Sequence, residues 1–184
     1  MRNAEATRER LVQAARRIFS ERGYERTTVR DIAAQAEVNP ALINRYFGGK
    51  EQLFAEAVSV DLALPDLSGL ESGRIGPALA AHFFRRWEGA EHDDLLRTLI
   101  RTAATNPEAA VRIREILGRQ VAPMISRVAG SERLAERAYL VATQILGLAY
   151  ARYVINLSDD DIARDTLVAA IGETLQRYLT APLP

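Results

Sequence analysis

The chain has 184 residues, 48% of them hydrophobic, and its 24 basic and 24 acidic side chains cancel. That is apolar material for one large domain, or for a small one joined to a larger, and the absence of cysteine excludes disulfides and thiolate chemistry. No uninterrupted apolar run approaches the roughly 18 residues of a membrane span, and the charged start MRNAEATRERLVQAARRIF lacks the apolar region of a signal peptide, so a cytoplasmic protein is expected.

In chain order, residues 4–22 pattern as an amphipathic helix, with Leu11, Ala15, Ile18 and Phe19 on one face and Arg8, Glu9, Arg16 and Arg17 elsewhere. Gly23 is a natural stop. Residues 28–50, TVRDIAAQAEVNPALINRYFGGK, then divide into a helix, a short turn and a second short helix. Thr28 with Asp31 three residues on forms a capping-box arrangement, so the first of these helices opens near Val29. Val29, Ile32, Ala33 and Ala36 recur at helical spacing. Asn39 followed by Pro40 restarts the chain as a helix, Asn as N-cap and Pro at the first helical position. There Ile43 and Phe47 point inward, leaving Pro40, Ala41, Asn44, Arg45 and Tyr46 outward or on the flank, and Gly48-Gly49 ends it. A helix-turn-helix with a short, polar, aromatic outer face suits the major groove of DNA.

A fourth helix is expected over residues 50–63, with Leu53, Phe54, Ala57 and Val58 inward. Residues 64–76, LPDLSGLESGRIG, hold one Pro, three Gly and two Ser and make the best boundary. Helices follow at about 77–89, 92–105, 107–129, 131–156 and 160–180, separated at Gly89, Asn106-Pro107, Gly130-Ser131 and Ser158-Asp159, with a kink at Pro123. The last two carry broad apolar stripes that can pack within one subunit or on a twin. No alternating strand pattern appears. The expectation is an all-α chain with an N-terminal helix-turn-helix DNA-binding domain at 1–63 and a C-terminal helical ligand-binding and dimerisation domain at 64–184.

The stretch TRERLVQAARRIFSERGYERTTVRDIAAQAEVNPALINRYFGGKEQLFAEAV, about residues 7–58, resembles the DNA-binding domain of the tetracycline-repressor (TetR) family. The resemblance is carried by the first-helix pattern, the Gly23-Tyr24 turn, the Thr-x-x-Asp-Ile-Ala start and the Phe-Gly-x-Lys-Glu run. It implies a homodimer bound to a double-stranded palindromic operator, each recognition helix in a major groove, and a small-molecule effector that releases a repressor from DNA. By the motif, Thr28 and Arg30 touch phosphate or a base edge. Asn39, Pro40, Ala41, Asn44, Arg45 and Tyr46 lie on or beside the recognition helix. Lys50, the chain's one lysine, takes the phosphate-contacting position at the start of the fourth helix. Three residues depart from the pattern. Glu37 stands where Gly is usual, at a cost of about 1–2 kcal/mol if the turn is left-handed. Asn44 replaces a frequent Tyr and can pair bidentately with adenine. Gly49 replaces a frequent Ser, weakening a cap by about a few tenths of a kcal/mol.

In the second domain Phe83, Trp87, Met124, Tyr139 and Tyr150 are candidate walls of an effector cavity, with Arg101 or Arg152 to orient a polar group; plain core is the alternative. His82 and His92 match no zinc spacing and are read as solvated surface, so no metal is expected. With no Gly-rich phosphate loop, serine elbow or catalytically spaced carboxylate pair, neither an enzyme nor a cofactor is expected. Residues 1–58 carry only ten basic against eight acidic side chains. That small excess and Glu37 keep open a second reading: a helical small-molecule-binding or interaction protein with a weakened DNA head.

Overall fold

The computed structural model describes residues 2–89, 94–130, 132–157 and 162–184. His92 and the expected breaks at Ser131 and Ser158-Asp159 lie outside them. Among the described residues there is no strand, in agreement with the expected all-α class. The helices are α1 (Arg2–Arg22), α2 (Val29–Gln35), α3 (Ala41–Phe47), α4 (Lys50–Ala57), α5 (Ile75–Glu88), α6 (Asp94–Ala103), α7 (Pro107–Ile116), α8 (Ala122–Ala129), α9 (Leu134–Tyr150) and α10 (Arg164–Thr180).

Three long expectations are cut shorter, each for a local reason. The fourth helix ends at Ala57 rather than at 63. Val58 caps it, its N–H bonding the Phe54 carbonyl (2.9 Å), and Val58 and Val60 are both buried where the helix gives out. The Arg16 guanidinium takes the orphaned carbonyls of Ala57 (2.8 Å) and Ser59 (2.9 Å). The expected helix at 107–129 is interrupted by a π-helical turn, Leu117–Val121, where the Ala122 N–H bonds the Leu117 carbonyl. Pro123 cannot donate to the carbonyl of Arg119 and its ring crowds that turn, so the ladder widens just before it. The helix expected over 131–156 likewise closes in a π-turn, Ala151–Ile155, ended by Asn156 in a left-handed conformation (φ 58°).

The chain forms two compact units. The first joins Met1–Val60 to Asp93–Arg114. Leu11, Phe19, Ile32, Ile43, Leu53 and Phe54 are fully buried in it. Phe54 sits edge-on to Phe19 at 4.9 Å and to Tyr24 at 4.8 Å, contacts adding about 0.5–1.5 kcal/mol each beyond area burial. α6 packs on α1 with Leu99 and Ile100 buried. The Thr98 hydroxyl donates to the Phe19 carbonyl (3.4 Å), and Asn106, whose Oδ1 accepts from the Ala109 N–H (2.9 Å) at the start of α7, reaches the Tyr24 hydroxyl at 3.5 Å. The linear division at residue 63 therefore differs from the packing: α6 and most of α7, expected in the second domain, belong to the first unit.

The second unit joins Asp61–His92 to Glu115–Pro184. Its α5 and α10 meet through glycines: a Cβ on Gly76 would stand 2.2 Å from the Gly172 carbonyl oxygen, and one on Gly172 2.8 Å from the Pro77 Cα. Gln176 accepts from the Gly76 N–H (2.8 Å) and donates to the Ser72 carbonyl (2.6 Å), capping α5 from across the crossing. Leu79, Met124, Ile125, Val141, Leu175 and Leu179 form the core beneath. The buried Arg137 donates to the carbonyls of Tyr178 (2.8 Å) and Ala181 (3.1 Å), closing the C-terminal end of α10.

Candidate nucleic-acid interface

The helix-turn-helix is built from contacts between near neighbours. The Asp31 N–H donates to the Thr28 hydroxyl (3.2 Å), and the Thr28 N–H returns a bond to the Asp31 carboxylate (2.9 Å). The Thr28 hydroxyl, then its N–H, and more weakly the charge of Arg22 hold the Asp31 carboxyl below its ordinary pKa. This box starts α2 and leaves Thr28 and Arg30 exposed. In the turn, the Val38 N–H reaches the Ala33 carbonyl (3.0 Å) only because Glu37 is left-handed, φ 54°. The strain anticipated for a non-glycine residue is present, about 1–2 kcal/mol.

The Asn39 Oδ1 accepts from the Ala41 N–H (2.9 Å), so Asn39 does cap the second helix. The first turn is a tight one, Leu42 to Asn39 (3.0 Å) and Ile43 to Pro40 (3.1 Å), and regular α-helix begins at Ala41, one residue later than expected. Ile43 and Phe47 are buried beneath it, whereas Asn39, Pro40, Ala41, Asn44 and Arg45 are exposed along the other side. Tyr46 is half-buried, edge-on to Phe47 at 6.5 Å. Gly48 (φ 86°) ends the helix, and Gly49 opens α4 with no side-chain cap, as expected of glycine there.

Lys50 is half-buried, its ammonium 4.1 Å from the centre of the Tyr24 ring. Burial lowers the Lys50 pKa, against Glu25 and Glu51, which favour the charge. Tyr24 itself stacks on Phe19 at 5.9 Å. The sequence marked Gly23-Tyr24 only as a turn, and no local signal shows that Tyr24 is the shelf beneath the lysine. Arg8 lies off the apolar face of its helix, as its place in the pattern implies. It lies 5.1 Å over the Phe47 ring and pairs with Glu56, tying α1, α3 and α4 together behind the exposed face.

The effector candidates of the second unit divide. Phe83 and Trp87 are buried and meet Tyr153, which stacks parallel to Trp87 at 4.5 Å. Met124 lies in the main core with Ile125 and Leu175. Tyr139 and Tyr150 do not join them: they are 70% and 40% exposed on the outer side of α9. Val141, buried, is two residues from Tyr139 and so about 200° round the helix. Arg101 is exposed and falls in the first unit. Arg152 is engaged with Glu88 (2.9 Å), which also accepts from the Tyr153 hydroxyl (2.9 Å) and pairs with Arg164 (3.3 Å). Burial first, then the hydrogen bond and charge of Glu88, push the Tyr153 phenol well above its ordinary pKa. His82 is not solvated surface: its Nε2 lies 3.0 Å from the Leu62 carbonyl. No group of three or more His, Cys, Asp or Glu that could hold a metal occurs among the described residues.

Tyr139, Tyr150, Ile155, Leu157 and Ile162 are large apolar side chains left exposed on α9, its π-turn and the approach to α10. The span Leu134–Ile155 is long and apolar enough to cross a membrane by length and composition alone, a point hidden in the sequence by Glu136, Arg137 and Arg152 within it.

The family model described as "Tetracyclin repressor-like, C-terminal domain" matches residues 74–179, and that described as "Bacterial regulatory proteins, tetR family" matches residues 11–57. A transcriptional repressor of Mycobacterium tuberculosis is 51% identical over 43 residues, only 23% of either chain. The transcriptional regulator TcmR of Streptomyces glaucescens is 31% identical over 134 residues, 64% of this chain and 58% of that one. Among solved structures, a transcriptional regulator of a Rhodococcus species shares the fold with a TM-score of 0.67 at 22% identity, covering 96% of this chain and 99% of that one. A TetR-family regulator of Streptomyces coelicolor is 27% identical with a TM-score of 0.55, covering 94% of each chain. With a helix-turn-helix whose second helix is exposed on one side, and with family models matched over residues 11–57 and 74–179, the chain belongs to the tetracycline-repressor (TetR) family of bacterial transcription regulators.

Proposed function

We propose that the protein is a cytoplasmic, sequence-specific DNA-binding regulator, a homodimer that represses from a palindromic operator until a small molecule releases it. The observation that carries this reading is α3: apolar Ile43 and Phe47 anchor it, and its other side presents Asn39, Pro40, Ala41, Asn44 and Arg45 to solvent. Asn44 reads adenine through its amide, and the small Pro40 and Ala41 let the helix start approach the base edges. Thr28, Arg30, Arg45, Tyr46 and Lys50 fix the register on phosphates. The exposed apolar side chains of α9, with small Ala169 and Ala170 exposed on α10, supply a self-complementary face for a twin. The half-sites of the operator are then expected roughly one helical turn of DNA apart, about 34–36 Å, or somewhat more. The effector acts by preferring the conformer whose helices are wrongly spaced, and its coupling is bounded by its differential affinity for the two states. Binding and release need no catalytic residue and no cofactor.

The test is selection of duplexes by the purified protein, from a random pool and from DNA upstream of its own gene, across a salt series. A preferred palindrome with a steep negative slope of log affinity on log salt is expected. Weak binding without sequence preference would overturn the reading in favour of a helical small-molecule-binding or interaction protein.

A further inference from the structure

Lys50 opens α4, and its side chain does not run free into solvent: it is half-buried, with the ammonium 4.1 Å from the centre of the Tyr24 ring. No carboxylate among the described residues forms an ion pair with it, although the charges of Glu25 and Glu51 act on Lys50 and on the Tyr24 phenol alike. The ring is fixed from several sides. Phe19 of α1 stacks on it at 5.9 Å, Phe54 of α4 meets it edge-on at 4.8 Å, and the Asn106 amide donates to its hydroxyl at 3.5 Å. Asn106 is itself tied down, its Oδ1 accepting from the Ala109 N–H at 2.9 Å. Every one of these residues belongs to the first unit. A ring so held offers a cation a fixed place, whereas a lysine stem is flexible and has no preferred direction of its own. Glu25 and Glu51 are exposed, so without the ring the ammonium would be free to settle on either carboxylate and be neutralised there. Held on an uncharged ring, it keeps its full charge for another anion.

We propose that Tyr24 is a positioning residue for DNA binding: its ring holds the Lys50 ammonium apart from Glu25 and Glu51 and presents it to a backbone phosphate. Tyr24 acts through Lys50 rather than by meeting DNA itself. The phosphate contact rests on the operator-binding reading above; the placement of the ammonium does not.

The chain's one lysine makes the test direct, since the full-length protein grown with isotope-labelled lysine gives a single lysine side-chain signal by NMR. In the folded parent without DNA, the Lys50 methylene protons next to the nitrogen are expected upfield of their position in the urea-unfolded chain, displaced by the ring current of Tyr24. The displacement should persist in Tyr24→Phe and vanish in Tyr24→Leu. On a duplex across a salt series, Lys50→Met should reduce the slope of log affinity on log salt by about one. Tyr24→Leu should weaken binding about threefold or more and move the slope towards that of Lys50→Met, while Tyr24→Phe keeps the parent's values. With Lys50→Met already in place, Tyr24→Leu should cost no further affinity. A Lys50 signal at its unfolded position in the folded parent would overturn the proposal, a result that needs no variant to fold. Equal losses from Tyr24→Leu with and without Lys50→Met would overturn it too, assigning the ring to the stability of the head alone. A phosphate contact carries no sequence information, so the salt series runs on any duplex. A parent that binds without sequence preference strikes the operator reading and leaves these outcomes to decide the role of Tyr24.

Discussion

Both units are closed by contacts between distant segments, such as Thr98 with Phe19 in the first, but the parts that matter most in each are shaped at different range. In the head, the parts that shape the exposed face are near neighbours: Thr28 with Asp31, Asn39 with Ala41, Gly48 with Asn44. In the second unit the decisive contacts join distant segments: Gly76 with Gly172 and Gln176, Arg137 with Tyr178 and Ala181. Local construction shapes the exposed face of the head within a few residues, on a core that α1, α4 and α6 complete. Distant construction makes the second unit a set of helices registered on one another, where one misfit is felt by every partner.

The contrast is broken most directly at the glycine crossing. Gly76→Ala places a Cβ against backbone, which cannot rotate aside, and should cost about 3 kcal/mol or more. Urea unfolding followed by Trp87, the one tryptophan and a residue of the second unit, measures it; a change within error would mean that the crossing is looser than the geometry implies. Arg137→Met keeps the apolar stem but leaves the carbonyls at the end of α10 without their buried donor, and a loss of about 2–3 kcal/mol is expected by the same measurement.

The head responds in recognition more than in stability. Asn44→Ala should flatten preference at one base pair of each half-site by about 1–3 kcal/mol, read by affinity for singly substituted operators, with the fold unaltered. A uniform loss across all sequences would assign Asn44 to phosphate instead. Glu37→Gly relieves the left-handed strain and should stabilise the head by about 1 kcal/mol in thermal unfolding, while removing an anion from the exposed turn. Neutral or destabilising behaviour would show that the Glu37 side chain contributes a contact worth as much as the strain.

The smallest effect is a pH dependence. Because the folded Asp31 carboxyl lies below its ordinary value of 3.8, its contribution is present above that value and is lost as pH falls through the lowered one. Thr28→Ala should therefore make the acid limb of a stability profile shallower. An identical limb in parent and variant would exclude the capping box as its source.

Legibility in the sequence follows the same range rule. The starts of α2 and α3, the left-handed Glu37 and the glycine stop at 48 were readable because each signal sits within about one helical turn of what it controls. The place of α6 was not. Leu99 and Ile100 announce an apolar face, but periodicity says only that the face is buried, not against what. Gln120, Gln176 and Arg137 carry no pattern at all, since a polar side chain bonding backbone some 40 or more residues away looks like any surface residue. Tyr139 and Tyr150 misled for a related reason: aromatic residues at helical spacing share a face, and that face is the outer one.

The return of α6 and α7 to the head bears on heredity. A recombination that exchanged only the first third of the gene would carry the recognition helix but leave Phe19 and Tyr24 to meet a stranger's Thr98 and Asn106. For a new DNA specificity to be inherited intact, the exchanged material must come as two pieces, Met1–Val60 and Asp93–Arg114, or the old floor must be one the new head tolerates. Operator preference and the middle of the chain are then expected to travel together through descent.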